Sequence, residues 1–232
     1  MPLLNEKIKE DISYDEKDRI KEKKFILNGK LEGEYTSYYG SGQIMARLHF
    51  HKDQRDGDAV TYYTGGQIRE KGTFKNDNLV GEYISYYENG QTREVENYKD
   101  GKLDGEYKLF FTTGQVRDVE NFKDGKLDGY YISYYKTGQI KEKGNFKNDE
   151  RDGEYIAYYK SGRIKEKATF KNGKLIGKFL SFDADNPEYQ LDDQGDESYA
   201  FTYEDDLKYK EKMVDDLLKN LSNFEKGKGH DN

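Results

Sequence analysis

Short runs in which aromatic or β-branched residues alternate with polar ones recur along most of the chain. Residues 81–87 read GEYISYY and lead into an Asn-Gly pair, after which a second run of the same kind begins. Such residues suit a pleated surface, and the Asn-Gly pair fits a two-residue type I′ turn. Two glycines in every unit work against a helix. The pattern therefore predicts one β-hairpin in each unit.

Two columns of glycine show that these units have a period of 24 residues. The first column opens each unit: Gly33, Gly57, Gly81, Gly105, Gly129, Gly153 and Gly177. The second column falls in each turn: Gly42, Gly66, Gly90, Gly114, Gly138 and Gly162. Six full repeats, each close to GEYxSYYxxGQIxEKxxFKxxxxx, therefore occupy 33–176, with a partial repeat on either side. Because one hairpin alone is marginal and stacked hairpins bury a continuous ladder, we expect a single-layer antiparallel sheet of about twelve strands.

The type of turn determines which residues face each other in a hairpin. We number the positions of a repeat from 1 to 24, starting at its opening glycine, and expect the turn glycine to be the second residue of a type I′ turn. Position 7 then faces position 12, and these two share the more apolar face with positions 3 and 18. Position 6 faces position 13 on the opposite face, which sets an aromatic ring against a cation. Four such pairs form the predicted partner-binding surface: Tyr62 with Arg69, Tyr86 with Arg93, Phe110 with Arg117, and Tyr134 with Lys141.

Three interpretations of this aromatic and cationic surface stay open. Cation–π pairs within the sheet would stabilise it without any ligand. The same surface would also suit a protein partner. Aromatic stacking combined with phosphate contacts is used to bind single-stranded nucleic acid, but nucleic-acid recognition usually needs a marked excess of basic residues. The repeats carry almost no net charge, which disfavours the nucleic-acid interpretation.

Charge distinguishes the region that follows the repeats. The 232-residue chain has a net charge of −7, and its segment 183–206 holds ten acids without any Lys or Arg. From Glu204 to Phe224, apolar residues recur at helical spacing, which predicts a helix that caps the last hairpin and covers its open edge. The predicted fold class is therefore an all-β repeat protein, an elongated single-layer antiparallel sheet of stacked β-hairpins with a C-terminal α-helix as cap. The predicted regions are 1–32 with a partial repeat, 33–176 with the six repeats, 177–203 with a partial repeat and an acidic linker, and 204–232 with the helix and tail.

Four acids of the linker complete the predicted binding set: Asp192, Asp193, Asp196 and Glu197. The stretch is a solvated linker, a docking segment for a basic partner, or a metal site. Its spacing does not match an EF-hand loop, so we assign no metal ligand. Uncompensated acids repel one another, and a basic partner would explain their presence better than folding alone.

The unit GxYxxYYxxGxI, followed by a phenylalanine and a glycine-rich connection, resembles the variant MORN repeat (membrane occupation and recognition nexus). The resemblance covers about 20–182. It implies an elongated sheet of stacked hairpins that contacts proteins and, by some proposals, lipids, and it implies no catalytic residues. The classical MORN unit is slightly shorter and has a GxG-type signature. Bacterial chains with the variant unit include members labelled as antitoxins.

These observations predict a non-catalytic repeat scaffold that binds a protein partner. The resemblance implies an antitoxin or immunity-type inhibitor of a toxin, nuclease or other basic effector. The first alternative is a surface or membrane-proximal protein that contacts lipid or host components, and the second is single-stranded nucleic-acid binding through the Tyr/Arg face. No phosphate loop, nucleophile elbow or zinc spacing occurs, so we expect no enzyme activity, cofactor, metal or small-molecule substrate. The first residues lack a hydrophobic signal segment, so we expect a cytoplasmic protein, or a secreted or surface protein if such a segment was removed.

Overall fold

The computed structural model describes residues 7–182 and the backbone of residues 189–191. The chain divides into two units, Met1–Leu191 and Asp192–Asn232, and every described residue lies in the first. These described residues form one antiparallel sheet and no helix, so none of their elements is a helix that could cross a membrane. The strands are β1 (Lys9–Tyr14), β2 (Ile20–Leu27), β3 (Lys30–Leu31), β4 (Gly33–Tyr38), β5 (Ile44–His51), β6 (Gln54–Arg55), β7 (Gly57–Tyr62), β8 (Ile68–Lys75), β9 (Asn78–Tyr86), β10 (Thr92–Lys99), β11 (Lys102–Leu103), β12 (Gly105–Phe110), β13 (Val116–Lys123), β14 (Lys126–Tyr134), β15 (Ile140–Lys147), β16 (Glu150–Arg151), β17 (Gly153–Tyr158), β18 (Ile164–Lys171), β19 (Lys174–Leu175), β20 (Leu180–Phe182) and β21 (Tyr189–Leu191).

The order of strands in the sheet follows the order of the chain. Each long strand pairs antiparallel with the strands before and after it. A two-residue strand is the start of the longer strand that follows it, set apart by a short break. For example, β5 pairs with both β6 and β7. The predicted single open sheet of stacked 24-residue hairpins is thus confirmed. The predicted C-terminal helix falls on 204–232, outside the described residues.

Each repeat contains two tight turns, and the type I′ turn is not where the Asn-Gly pattern predicts it. It joins one hairpin to the next, at positions 20 and 21, as in Asp124 with φ of 52° and Gly125 with φ of 84°. Within the hairpin, Gly90 has φ of 83° whereas Asn89 does not have a positive φ. The N–H of Gly90 donates to the carbonyl oxygen of Tyr87 at 2.9 Å. This is a longer loop in which a type I turn is closed by a left-handed glycine.

The longer loop adds one residue to the strand that follows it. Position 6 pairs with position 12, as in Tyr86 with Thr92, whereas position 5 pairs with position 14, as in Ser85 with Glu94. Arg93 at position 13 is therefore the extra residue of a β-bulge, and the same irregularity recurs in all six repeats. The predicted pairing of position 7 with 12 and of position 6 with 13 is wrong, because it assumed a two-residue turn. Positions 1 to 5 keep the register that the assumed turn gives.

The opening glycine of a repeat allows two strands to approach closely where the chain bends. Gly57 has φ of 123°, and a Cβ atom added there would lie 2.9 Å from the Cβ of His49. Residues with a side chain rarely adopt such an angle, and this one would also collide with the neighbouring strand. The positive φ is common to position 1 in every repeat, whereas the close approach applies only to Gly57, Gly105 and Gly129.

Most of the core lies on one face of the sheet, which we call the carboxylate face and which is formed by positions 3, 5, 14, 16, 18 and 23; Val119 and Ile156 are buried on the opposite face. In five repeats the rings at positions 3 and 18 meet edge to face, with centroids 5.9 to 6.4 Å apart. Tyr107 and Phe122 are only 1% and 2% exposed. Positions 3 and 18 therefore share a buried face as predicted. Position 12 pairs with position 6, so it lies on the opposite face, contrary to the prediction.

Candidate interaction surfaces

The structure separates the aromatic residues of the predicted binding surface from its cations. The aromatic residues at position 6 lie on the face opposite the core, where the Lys71 ammonium is 5.9 Å from the ring centroid of Tyr86. The cations at position 13 turn to the carboxylate face, because the bulge sets Arg93 beside Ser85 and Glu94. The aromatic set is Tyr62, Tyr86, Phe110 and Tyr134, and the cationic set is Arg69, Arg93, Arg117 and Lys141. These sets do not form the expected cross-strand pairs, and their role in binding stays a prediction.

Each bulge cation instead pairs with the carboxylate that follows it in the sequence. The guanidinium of Arg93 contacts Glu94 at 3.0 Å and donates a hydrogen bond to the Ser85 hydroxyl at 3.2 Å. The pairs are Arg69–Glu70 at 3.5 Å, Arg93–Glu94 at 3.0 Å, Arg117–Asp118 at 2.9 Å, Lys141–Glu142 at 3.8 Å and Lys165–Glu166 at 3.0 Å. In every pair the cation is more exposed than the carboxylate. The cations therefore form the outer layer of the carboxylate face.

Phenol groups supply further hydrogen bonds to the carboxylates of this face. The hydroxyl of Tyr98 donates to Glu96 at 2.6 Å, and that of Tyr155 donates to Glu142 at 3.0 Å. Burial raises the pKa of Tyr98 well above its ordinary value, and the adjacent Glu96 carboxylate raises it further. The Tyr98 contact lies within one strand, whereas the position 3 tyrosines Tyr35, Tyr107 and Tyr155 donate to a carboxylate of the preceding hairpin and so join neighbouring strands.

A ladder of tyrosine hydroxyls ties each turn to the next hairpin. The hydroxyl at position 7 donates to the backbone carbonyl at position 6 of the following repeat, over 2.6 to 2.8 Å. The donors and acceptors are Tyr39 to Tyr62, Tyr63 to Tyr86, Tyr87 to Phe110, Tyr135 to Tyr158, and Tyr159 to Phe182. Phe111 takes this position in the fourth repeat and has no hydroxyl to donate. The sequence shows the tyrosine column but not its acceptors, because these are backbone atoms of another repeat.

The face opposite the core carries a line of residues that the sequence pattern does not reveal. Positions 4 and 15 pair within each hairpin and again between hairpins, so one line of direct neighbours crosses the sheet. We call this line the lysine row, and it consists of Lys23, Thr36, Arg47, Val60, Lys71, Ile84, Val95, Lys108, Val119, Ile132, Lys143, Ile156, Lys167 and Leu180. It contains cations, aliphatic residues and one threonine, but no acid. The pairing between hairpins joins the 4–15 pair of one hairpin to that of the next, and this makes the line continuous.

Two further candidate sites are the acidic residues of the linker and one small cavity. The acids Asp192, Asp193, Asp196 and Glu197 lie outside the described residues. On the carboxylate face, a cavity of about 10 Å³ lies beside Tyr131, Gly144 and Tyr155. That volume is about enough for one water molecule and not for an organic substrate.

Comparison with known proteins identifies the repeat. A family model described as MORN repeat variant matches six consecutive segments, which are residues 31–52, 55–76, 79–100, 103–124, 127–148 and 151–172. No curated protein matches the chain. Among solved structures, the chain is similar to one described as "Crystal structure of GtfA/B complex bound to UDP and GlcNAc", with 14% identity and a TM-score of 0.21. That match covers 64% of this chain and 25% of the other, and so low a TM-score supports no argument about fold or function.

Proposed function

The chain belongs to the MORN repeat variant family, and from that premise we propose that it is a non-catalytic scaffold whose sheet binds a protein partner. MORN repeats generally serve in interactions with proteins or membranes. The observation that carries the proposal is that one contact, from bulge cation to following carboxylate, recurs in five successive repeats. A catalytic acid or base needs an environment of its own, whereas a repeated contact produces a uniform surface.

The more specific form of the proposal is an inhibitor of the antitoxin or immunity type that acts in the cytoplasm on a basic effector. The acidic segment 183–206 supports it, because its ten acids account for the negative net charge of the chain, whereas the repeats carry almost no net charge. Opposite charge on the partner would accelerate the encounter, and salt would screen that effect. Asp192, Asp193, Asp196 and Glu197 are the acids that we propose make this contact.

The test of the scaffold function is reconstitution of a complex from purified components. Proteins that co-purify with the full chain are identified by mass spectrometry, expressed separately, and mixed with it for sedimentation velocity. We expect one protein to form a complex of fixed stoichiometry. If the chain instead forms no protein complex and sediments with vesicles containing anionic lipid, the function is membrane contact and the proposal is wrong.

The test of the acidic contact is the association rate of the reconstituted complex. Changing Asp192, Asp193 and Asp196 to Asn and Glu197 to Gln should slow association at low salt, with the difference disappearing at high salt. The matched control changes the charge by the same amount at exposed repeat acids, with Glu82 and Glu88 replaced by Gln and Asp100 and Asp124 by Asn. An association rate that is equally reduced in both variants would show a general charge effect and no specific contact.

A further inference from the structure

The lysine row has a spacing that a partner chain can match. Lys71, Lys108 and Lys143 lie three strands apart in the row, which corresponds to about 14 Å at about 4.8 Å between strands. Two aliphatic residues separate each pair of lysines, Ile84 and Val95 on one side and Val119 and Ile132 on the other. The row is therefore an alternation of one cation with one apolar pair across the centre of the sheet.

Three cations of the row lack a carboxylate partner. Lys23, Lys108 and Lys167 form salt bridges with Glu10, Glu106 and Glu154 respectively. Within residues 7–182, by contrast, no salt bridge involves Arg47, Lys71 or Lys143. Lys71 and Lys143 instead each lie 5.9 Å from the ring centroid of a tyrosine in the next hairpin, Tyr86 and Tyr158. A cation beside an aromatic ring still has hydrogen-bond donors free for an external anion.

We propose that the lysine row is a docking surface for an extended acidic segment of a protein partner, which would lie across the strands with a carboxylate at every fourth residue. In an extended chain four residues span about 13 Å, close to the spacing of the three lysines. The side chain two residues after each carboxylate points to the same side, and it would lie over an aliphatic pair. An apolar residue at that point completes the match. This inference rests on the proposed scaffold function and identifies the surface that it uses.

The proposed occupant differs from the basic surface that the acidic linker would contact. A partner that binds both the lysine row and the acidic linker must present an acidic segment to the lysine row and basic residues to the linker. The lysine row also lies on the face of the sheet opposite the bulge cations. Substitutions in the lysine row therefore leave the bulge cations unchanged. Arg69, Arg93 and Arg117 already contact carboxylates of this chain. In the lysine row, by contrast, Lys108 shares its charge with Glu106, while Lys71 and Lys143 on either side of it have no carboxylate partner among the described residues.

The probe for this surface is a fluorescent peptide made of four copies of Glu-Ser-Val-Ser. Its control is a peptide of the same composition in which the glutamates are spaced irregularly. We expect the full chain to bind the regular peptide more tightly, in a manner that weakens with salt. Replacing Lys71 and Lys143 together by Gln should weaken binding about five-fold or more, on the scale of two exposed ion pairs.

The matched control for those substitutions is the pair Lys126→Gln and Lys174→Gln, which removes the same charge at exposed strand ends outside the row. Binding by this variant should stay within about two-fold of the unaltered chain. Unchanged thermal unfolding would show that both double variants fold. The proposal is overturned if the two variants lose the same affinity, if the irregular peptide binds equally well, or if the loss is seen only with phosphatidylserine vesicles. A reconstituted protein partner whose affinity is unaffected by Lys71→Gln and Lys143→Gln would overturn this docking surface and leave the scaffold function intact.

Discussion

At the residue scale, backbone angle decides what each glycine contributes. In the second repeat, two glycines are adjacent in one turn, yet only Gly66 has a positive φ, of 88°. In the strands, Gly72 and Gly144 occupy position 16, where other repeats have Leu48, Glu96, Glu120 or Ala168. The same residue type is thus required at one site and dispensable at another.

The adjacent glycines of this turn allow a direct comparison. Gly66→Ala should destabilise the protein by about 1 kcal/mol or more, because a left-handed backbone is unfavourable for a residue with a Cβ. Gly65→Ala should be neutral or slightly stabilising, since the atom nearest to its added Cβ belongs to the flexible end of Gln67. Urea unfolding of both variants measures the difference. Equal midpoints would contradict the assigned turn.

Gly144 is a site where a methyl group should increase stability. A Cβ there would lie 3.5 Å from the carbonyl oxygen of Glu154 and 3.7 Å from a ring carbon of Tyr155, which is ordinary contact. Gly144→Ala should stabilise by about 0.5–1 kcal/mol, because glycine in a strand costs conformational entropy. At Gly72 the added atom would lie 3.0 Å from the ring of Tyr83, so Gly72→Ala should gain less or lose stability. If Gly144→Ala lowers the unfolding midpoint, the space beside Gly144 does not admit a methyl group and the prediction is wrong.

At the scale of the element, the hairpin is held by its bulge and by the contact of its turn with the next hairpin. The bulge places Arg93 and Glu94 on the same face, where a regular strand would set successive residues on opposite faces. The ladder of tyrosine hydroxyls then fastens each loop to the following strand. Each hairpin is therefore tied to its neighbours through side chains as well as through the backbone.

The interruption of the hydroxyl ladder at Phe111 gives an element-scale prediction. Phe111→Tyr should stabilise the protein by about 0.5–1.5 kcal/mol, if its hydroxyl reaches the Tyr134 carbonyl as the equivalent hydroxyls do. Tyr135→Phe should lose a similar amount, because it removes the 2.8 Å hydrogen bond to the carbonyl of Tyr158. Thermal unfolding and amide exchange in β14 and β17 measure both effects. Two variants that both destabilise would show that the fourth repeat is packed for phenylalanine.

At the scale of the whole described sheet, stability is shared among hairpins that touch only their neighbours. Such an arrangement has no central core, so burial comes from ring pairs and carboxylate networks repeated along one face. The most buried rings belong to the fourth repeat, in which Tyr107 and Phe122 are nearly inaccessible. This dependence on buried phenols makes the sheet sensitive to alkaline conditions.

Alkaline pH should unfold the protein cooperatively. Burial strongly raises the pKa of five phenols above their ordinary value: Tyr83, Tyr98, Tyr107, Tyr131 and Tyr155. Their contribution to stability is complete below the unfolded pKa of about 10, and it is lost as the pH rises above that value, because only the unfolded chain then releases these protons. Tyrosinate absorbance should therefore rise together with the loss of β-sheet circular dichroism. Ionisation of all tyrosines before any unfolding would contradict the burial of these rings.

The sequence by itself determined the period, the hairpin, the single antiparallel sheet and the columns at positions 3 and 18, because glycine spacing and aromatic alternation are local properties of the chain. It could not decide which of two turns is type I′. Both contain Asn, Asp or Gly, and the loop closed by Gly90 differs from a two-residue turn by a single residue. The additional loop residue makes Arg93 the extra residue of the bulge. Arg93 therefore lies on the face opposite Tyr86 and on the same face as Glu94. The continuity of the lysine row also depends on tertiary structure, since pairing between hairpins joins the 4–15 pair of one hairpin to that of the next. The repeat period can be read from the sequence, whereas which side chains face each other depends on how the strands pair.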